Sequence, residues 1–334
     1  VDGDWDTNNL TNLIRIFVLN RKIIDGIDNG LGKLLQPFQK IIHIKKNNTI
    51  EGSKSNIKAH YDIGNDFFKL FLDETMMYSS AVFENANTTL RDASNKKIEL
   101  ICERLQLKST DKVIEIGTGW GSLAIFAAQK YGCHVTTTTI SKEQFDYATE
   151  RVKALGLEDK IQILFEDYRK LEGQFDKLVS VEMIEAVGLN HLDTYFKKCS
   201  SLLKPDGLMV IQAITIRDQY YEKAKNSVDF IQRHIFPGSG IPAIHALLNS
   251  MTTQSDLILI NSQDYAEDYA QTLKIWSENL SKEQHSITKL GYPEFLYRLW
   301  QYYFAYCEGG FRERAIGVSQ LTFAKPQYKN RSYV

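Results

Sequence analysis

A short β-branched run, Val113-Ile114-Glu115-Ile116, leads at once into Gly117-Thr118-Gly119-Trp120-Gly121 and then into Ser122-Leu123-Ala124-Ile125-Phe126, a good helix start. Strand, glycine turn and helix in that order constrain the fold more than any other stretch of the chain. Glycine lets a backbone turn this tightly and come close to a ligand with no side chain in the way. Four more apolar runs follow, at 135–140, 161–165, 178–181 and 208–214, with helix-length segments between them. That alternation predicts a doubly wound parallel sheet, whose ligands bind beyond the carboxyl ends of the strands. Two further strand candidates, 257–261 and 318–324, come after a long helical insertion.

A dinucleotide fingerprint, G-x-G-x-x-G, would place its third glycine at Ser122. The arrangement present, E-x-G-x-G-x-G, resembles instead the first motif of the class I methyltransferases. That likeness implies a Rossmann-like, seven-stranded sheet with a helical insertion, and a turn that accommodates the methionine part of S-adenosylmethionine. Taken alone, the turn also admits a nicotinamide or flavin protein. Many class I enzymes carry an acidic residue after the second strand to hold the ribose. Here that place reads Thr139-Ile140-Ser141-Lys142-Glu143-Gln144, so polar uncharged groups must serve.

Other blocks carry a narrower likeness. His60-Tyr61-Asp62-Ile63-Gly64-Asn65-Asp66-Phe67-Phe68 is followed by Met76-Met77-Tyr78-Ser79-Ser80-Ala81, and later by Val181-Glu182-Met183-Ile184-Glu185-Ala186-Val187-Gly188. Further matches lie at 229–238, 269–276 and 302–311. With the glycine turn and 139–144, these blocks resemble the cyclopropane-fatty-acyl-phospholipid synthase family and the related mycolic acid cyclopropane synthases. The likeness runs in the same order over roughly residues 58–326.

The resemblance implies S-adenosylmethionine as cofactor, an unsaturated, phospholipid-bound fatty acyl chain as substrate, and a cyclopropane as product. It puts Tyr78 and Ser79 against the methionine end of the cofactor, beside Gly117 and Gly119, with Glu115 and Gly121 in the same turn. Thr139, Ser141 and Gln144 fall at the ribose, and Tyr168 and Arg169 flank the adenine. By residue type alone, Tyr78 and Tyr168 read equally well as core aromatics.

An alkene is a feeble nucleophile, so the sulfonium methyl must be held in line with the double bond in a dry pocket. Methyl transfer leaves a carbocation, and a base must then take a proton from the new methyl so that the ring closes. Aromatic faces or negative charge near the cation are also required. In the family the base is thought to be a bound bicarbonate, held by a carboxyl group, a tyrosine, a histidine and backbone groups. The resemblance puts Glu185 at the carboxyl position, Tyr269 at the tyrosine and Ile214 at the backbone position. Gln212 stands where many members have histidine and Ser80 where many have cysteine, a pair shared with plant-like members that still look like ring-forming enzymes. Glutamine donates to an anion but holds no titratable proton. Cys307, within Tyr306-Cys307-Glu308-Gly309-Gly310-Phe311, matches a cysteine proposed as a nucleophile in the family. The chemistry requires no thiol, and a small structural cysteine is the preferred reading.

With 334 residues, 43% of them hydrophobic, the chain is long enough for one main domain and an appendage. We expect a helical accessory segment over 1–50 and the methyltransferase domain over 51–334. Amphipathic spacing predicts helices at 10–19 and 23–42, and the polar stretch from Lys45-Lys46-Asn47-Asn48 to Asn56 reads as a linker. Packing on the main domain is the plain reading of those helices; a partner or a membrane surface is the other. Lys+Arg 40 against Asp+Glu 41 gives no basic excess, so no nucleic-acid partner is expected.

Cys102, Cys133, Cys199 and Cys307 show no C-x-x-C spacing, which favours a reducing, cytoplasmic setting; His191, His234 and His245 share no metal-ligand spacing, and no metal is expected. No uninterrupted apolar run reaches the ~18 residues of a membrane span. A lipid would then be reached from the water side by transient surface contact, through Lys45-Lys46 or the amphipathic segments, making the protein peripherally membrane-associated. The acidic start at Val1 has no hydrophobic signal and reads as a piece of a longer protein. The family likeness allows a homodimer, without a residue-level signature here. Three other readings stay open: a fatty-acyl methyltransferase giving a methyl- or methylene-branched product, an inactive lipid- or S-adenosylmethionine-binding module, and a nicotinamide dehydrogenase.

Overall fold

The computed structural model describes residues 6–21, 52 and 63–329. The helix expected at 23–42, the linker and boundary near residue 50, Lys45-Lys46 and His60-Tyr61-Asp62 lie outside the described residues. Helix α1 spans Leu10–Leu19 and α2 spans Leu90–Arg104. Strands and helices then alternate: β1 Lys112–Ile116, α3 Ser122–Tyr131, β2 His134–Thr139, α4 Lys142–Ala154, β3 Ile161–Phe165 and β4 Phe175–Val181. The second half continues with α5 Leu192–Leu202, β5 Leu203–Ile216, α6 Ile244–Gln254, β6 Ile258–Asp264, α7 Ala266–Lys282, α8 Glu294–Arg312 and β7 Ile316–Ala324. Shorter helical turns are named by their residues.

The strand order is β3-β2-β1-β4-β5-β7-β6. The first five strands are parallel, as the alternation predicts, whereas β7 runs antiparallel to both β5 and β6. The reason lies in the connection. Helix α8 lines the cavity beyond the carboxyl ends of the parallel strands, and β7 begins only a few residues after it, so the chain enters β7 from that end. Strands β4 and β5 begin well ahead of their apolar runs. β5 starts at Leu203 and β4 at Phe175 because Lys204, Asp206, Asp176 and Lys177 extend the strands with polar residues, past a register shift between Phe175 and Lys177.

Alternate strand residues sort into two cores, as a sheet covered on both faces demands. Ile114, Ile116, Leu178, Met209, Ile211, Leu321 and Phe323 pack with α5 and α6. Val113, Val135, Val179, Leu208 and Val210 pack with α2 and α3. A third, mostly aromatic cluster caps the strand ends, with Phe67, Phe68, Phe71, Trp120, Trp276, Trp300 and Phe304 among its members. Its rings meet mainly edge to face, for example Phe67 on Trp300 at 5.0 Å between centroids, the geometry aromatic quadrupoles favour.

Helix α1 packs on α8. Ile14 is buried, the Thr11 hydroxyl donates to Glu308 at 2.8 Å and Arg15 Nε donates to Glu313 at 2.6 Å. The approach is close because α8 carries glycine there: a Cβ on Gly309 would stand 2.7 Å from Ile14 Cγ2. Among the described residues no helix is long and apolar enough to cross a membrane.

Candidate active site

A cavity of about 270 Å³ opens beyond the carboxyl ends of β1, β2, β4 and β5, where the strand order reverses on either side of β1. The glycine turn forms one wall. Gly117 and Gly119 line the cavity with φ of +103° and +52°, left-handed values that a side chain resists. A Cβ on Gly119 would meet nothing within 4 Å, so its absence keeps the turn open toward a ligand. Gly121, at φ +89°, is not part of the wall; a Cβ there would press on Ala148 at 3.2 Å, so this glycine lets α3 and α4 close together.

Below the turn, Glu115 lines the cavity and accepts a hydrogen bond from the Thr137 hydroxyl at 2.6 Å; burial pushes its carboxyl up to about 8. At the end of β2, Thr139 donates to Gln144 Oε1 at 2.9 Å, and both line the cavity. Ser141 stands outside it, capping α4 by accepting from the Gln144 N–H at 3.3 Å. Tyr168 and Arg169 line the far end. Tyr168 packs edge-on against Tyr195 at 5.7 Å, and Asp167 fixes the Arg169 guanidinium with bonds of 2.6 and 2.8 Å.

The opposite wall carries two carboxyl groups, and their surroundings differ. Glu185, on the short helix Ile184–Val187, accepts the Ile214 N–H with Oε1, while its buried Oε2 has no hydrogen-bond partner. Burial, and then the neighbouring Glu182, push Glu185 up to about 8, so it holds its proton at neutral pH. Glu182, one residue past β4, is richly supplied. Its Oε1 accepts the Ser80 N–H at 2.9 Å and Gln212 Nε2 at 2.7 Å, and its Oε2 accepts the Tyr269 hydroxyl at 2.7 Å. Burial raises this carboxyl too, opposed by the Tyr269 bond, the Lys97 charge and the other two donors. Glu182 holds a φ of +48°, a left-handed conformation that costs a non-glycine residue about 1–2 kcal/mol, and its N–H donates to the Gln212 carbonyl at 2.8 Å.

Glu182, Glu185, Ile214 and Tyr269 all line the cavity that the glycine turn lines. Ser80 and Gln212 do not; they stand behind Glu182, and the Ser80 hydroxyl donates to the Ala81 carbonyl at 3.0 Å. Gln212 is in turn held by Gln320, whose Nε2 donates to Gln212 Oε1 at 2.9 Å and whose Oε1 accepts from Arg104.

Aromatic groups close the remaining sides. The Tyr78 hydroxyl donates to that of Tyr303 at 3.2 Å, and the Tyr269 ring stacks on Phe311 at 4.5 Å. Cys307 lies in the same wall, half-buried, and burial pushes its thiol well above the usual range, which keeps it protonated.

Two residues given no role by the sequence reading belong to this site. One is Glu182, quoted only as part of its block. The other is Lys97, fully buried, donating to Ser79 Oγ at 2.6 Å and pushed down to about 8 by burial against the charges of Glu182, Asp73 and Glu115. The signal for Lys97 was its position: on α2 it shares a face with Ala93 and Ile101, four residues to either side, both buried.

The family profile for mycolic acid cyclopropane synthetase matches residues 48–321. The tuberculostearic acid methyltransferase UfaA1 of Mycobacterium tuberculosis is 33% identical, over 97% of this chain and 77% of its own length. The cyclopropane-fatty-acyl-phospholipid synthase of Escherichia coli K12 is also 33% identical, over 97% of this chain and 81% of its own. Among solved structures, the mycolic acid cyclopropane synthase CmaA1 complexed with SAH and CTAB superposes with a TM-score of 0.76 at 30% identity, covering 81% of this chain and 98% of that one.

Proposed function

From the premise that this chain belongs to the mycolic acid cyclopropane synthetase family of S-adenosylmethionine-dependent methyltransferases, we propose that it methylates the cis double bond of an unsaturated, phospholipid-bound fatty acyl chain and closes a cyclopropane ring. One observation carries this reading: the glycine turn and a carboxyl-bearing, aromatic wall face each other across one cavity.

S-adenosylmethionine supplies an electrophilic methyl on sulfonium. The residues present fit it. Gly117 and Gly119 leave room for the methionine end, Glu115 and Ser79 offer polar atoms beside it, Thr139 and Gln144 face the ribose, and Tyr168 with Arg169 borders the adenine. The acyl chain then lies against Tyr78, Tyr303, Phe236 and Phe311, whose ring faces stabilise positive charge on carbon and exclude water. The alkene π pair forms the bond to the methyl carbon while the S–CH₃ pair stays on sulfur. When a C–H pair of the new methyl closes onto the cationic carbon, the ring forms and a proton leaves to a base.

A second reading is favoured by the identity with the tuberculostearic acid methyltransferase. A hydride shift before proton loss moves the cation to the methylated carbon, and loss of the same methyl proton then gives an exocyclic methylene. The base is shared, and the hydride shift is the step that separates the two routes. The same donor site and acyl substrate also serve a protein that contacts bilayers transiently and works in the cytoplasm.

Incubation with S-adenosylmethionine and oleoyl phospholipid vesicles tests the function. We expect vesicle-dependent S-adenosylhomocysteine and a fatty acid heavier by one CH₂. Resistance to bromine addition separates the ring from the methylene. No lipid product despite S-adenosylhomocysteine binding would overturn the proposal in favour of an inactive binding module.

A further inference from the structure

The family resemblance calls for a bicarbonate ion as proton acceptor, and of the groups it assigns to that ion Glu185, Tyr269 and Ile214 line the cavity. They are not free. The Tyr269 hydroxyl and the Gln212 amide converge on the carboxylate of Glu182, with the Ser80 N–H as a third donor. A planar three-atom anion is already seated there, tethered to the backbone beyond β4. The residues present therefore do not fit a bicarbonate at these donors.

We propose that the Glu182 carboxylate takes the place of bicarbonate and is itself the base that receives the proton from the methylated acyl cation. The inference rests on the lipid methyltransferase reading above and names the acceptor within it.

Lone-pair bookkeeping locates the accepting atom. A carboxylate oxygen accepts about two hydrogen bonds. Oε1 of Glu182 is filled by Ser80 and Gln212, whereas Oε2 carries Tyr269 alone and keeps a lone pair. Glu182 lines the cavity, while Ser80 and Gln212 support it from behind. Two adjacent carboxyl groups do not both ionise readily, so the one with three donors and a nearby lysine takes the charge and the one with a single donor keeps its proton. Lys97 is the buried cation on the Glu182 side, and Glu185, short of donors, is the protonated partner. Glu182 also holds a left-handed backbone conformation, one that glycine would adopt at less cost. The step balances, since a C–H pair of the methyl closes the ring or forms the methylene and the proton passes to Glu182 Oε2. No oxidant or reductant enters.

The variant Glu182→Gly supplies the test. Glycine suits a φ of +48°, so the backbone keeps its path, and the change leaves Tyr269, Gln212 and the Ser80 N–H facing an anion-sized gap. Two measurements are made, with and without added bicarbonate in decarbonated buffer. One is binding of ¹³C-bicarbonate to the S-adenosylhomocysteine complex by NMR, which needs no turnover. The other is lipid product from oleoyl vesicles.

We expect wild type to bind no bicarbonate saturably and to turn over equally in both buffers. Glu182→Gly should bind the ion saturably, lose at least about 100-fold of activity without it, and recover at least about tenfold with bicarbonate or acetate. Glu182→Gln, which keeps volume but cannot take the proton, should be inactive and unrescued. Saturable bicarbonate binding by wild type, or a Glu182→Gly enzyme as active as wild type in decarbonated buffer, overturns the inference and leaves the methyltransferase reading intact. If wild type makes no lipid product at all, that reading fails, and the binding measurement alone still decides what fills the donors.

Discussion

At the scale of residues, Glu182 and Glu185 are three positions apart and chemically identical and both are raised by burial, yet the fold gives Glu182 three hydrogen-bond donors and Glu185 one. Glu185 is held in its neutral form by burial, and this has a consequence for stability. A carboxyl whose folded pKa lies near 8, above the ordinary value of 4.5, contributes stability in full below about 4.5 and loses it as the pH rises through about 8. Glu115 follows the same course, and Lys97, pushed down to about 8, runs the other way, gaining stability as the pH rises from about 8 toward 10.5. Comparison of one variant with wild type isolates one group. Glu185→Gln, a permanently neutral isostere, should lose less thermal midpoint than wild type between pH 6 and pH 9, with equal midpoints near pH 5; parallel pH slopes would show that Glu185 is not held neutral. Sequence could name both glutamates but not rank them. The left-handed turn at Glu182 sends its carboxylate to Tyr269, and no residue pattern announces a positive φ at a glutamate.

At the scale of elements, the strand-turn-helix unit at 112–131 was legible because glycine spacing and apolar periodicity are both local. Helix α1 was legible as a helix for the same reason. What it packs against was not, since its partner lies some 300 residues further along and the contact depends on a missing side chain. Gly309 makes a specific claim there. Gly309→Ala should force Ile14 aside and cost about 1–3 kcal/mol, the usual range for overpacking, read as a lower thermal midpoint and faster proteolysis ahead of α1. In the double variant with Ile14→Ala the two losses should sum to less than their separate values, because the smaller side chain makes room. Additive losses would mean that α1 is not seated by this contact. The antiparallel entry of β7 escaped the sequence for a related reason: strand direction is decided by where the preceding helix ends, and no apolar run reports that.

At the scale of the whole molecule, one cavity runs from the glycine turn to the wall of Glu182 and Tyr269, so a ligand seated at the turn should stabilise the assembly. S-adenosylhomocysteine at about 100 times its dissociation constant adds about 2.7 kcal/mol, or about 4 °C in thermal midpoint for a chain of this length. Nicotinamide nucleotides at the same concentration should add nothing. The reverse ranking would show that the glycine turn does not serve the adenosyl cofactor. The cavity's general position was readable from the alternation of strand and helix segments, whereas its polarity was not, because that depends on contacts reaching across β5 and β7.

Those contacts have only one sense. A guanidinium donates and never accepts, so Arg104 compels Gln320 to present its oxygen to α2 and its nitrogen to Gln212. Gln212 must then aim its own nitrogen at Glu182. An amide that is otherwise free to rotate by half a turn is thus locked by a group two side chains away. The direction in which that wall offers hydrogens is dictated from outside the wall.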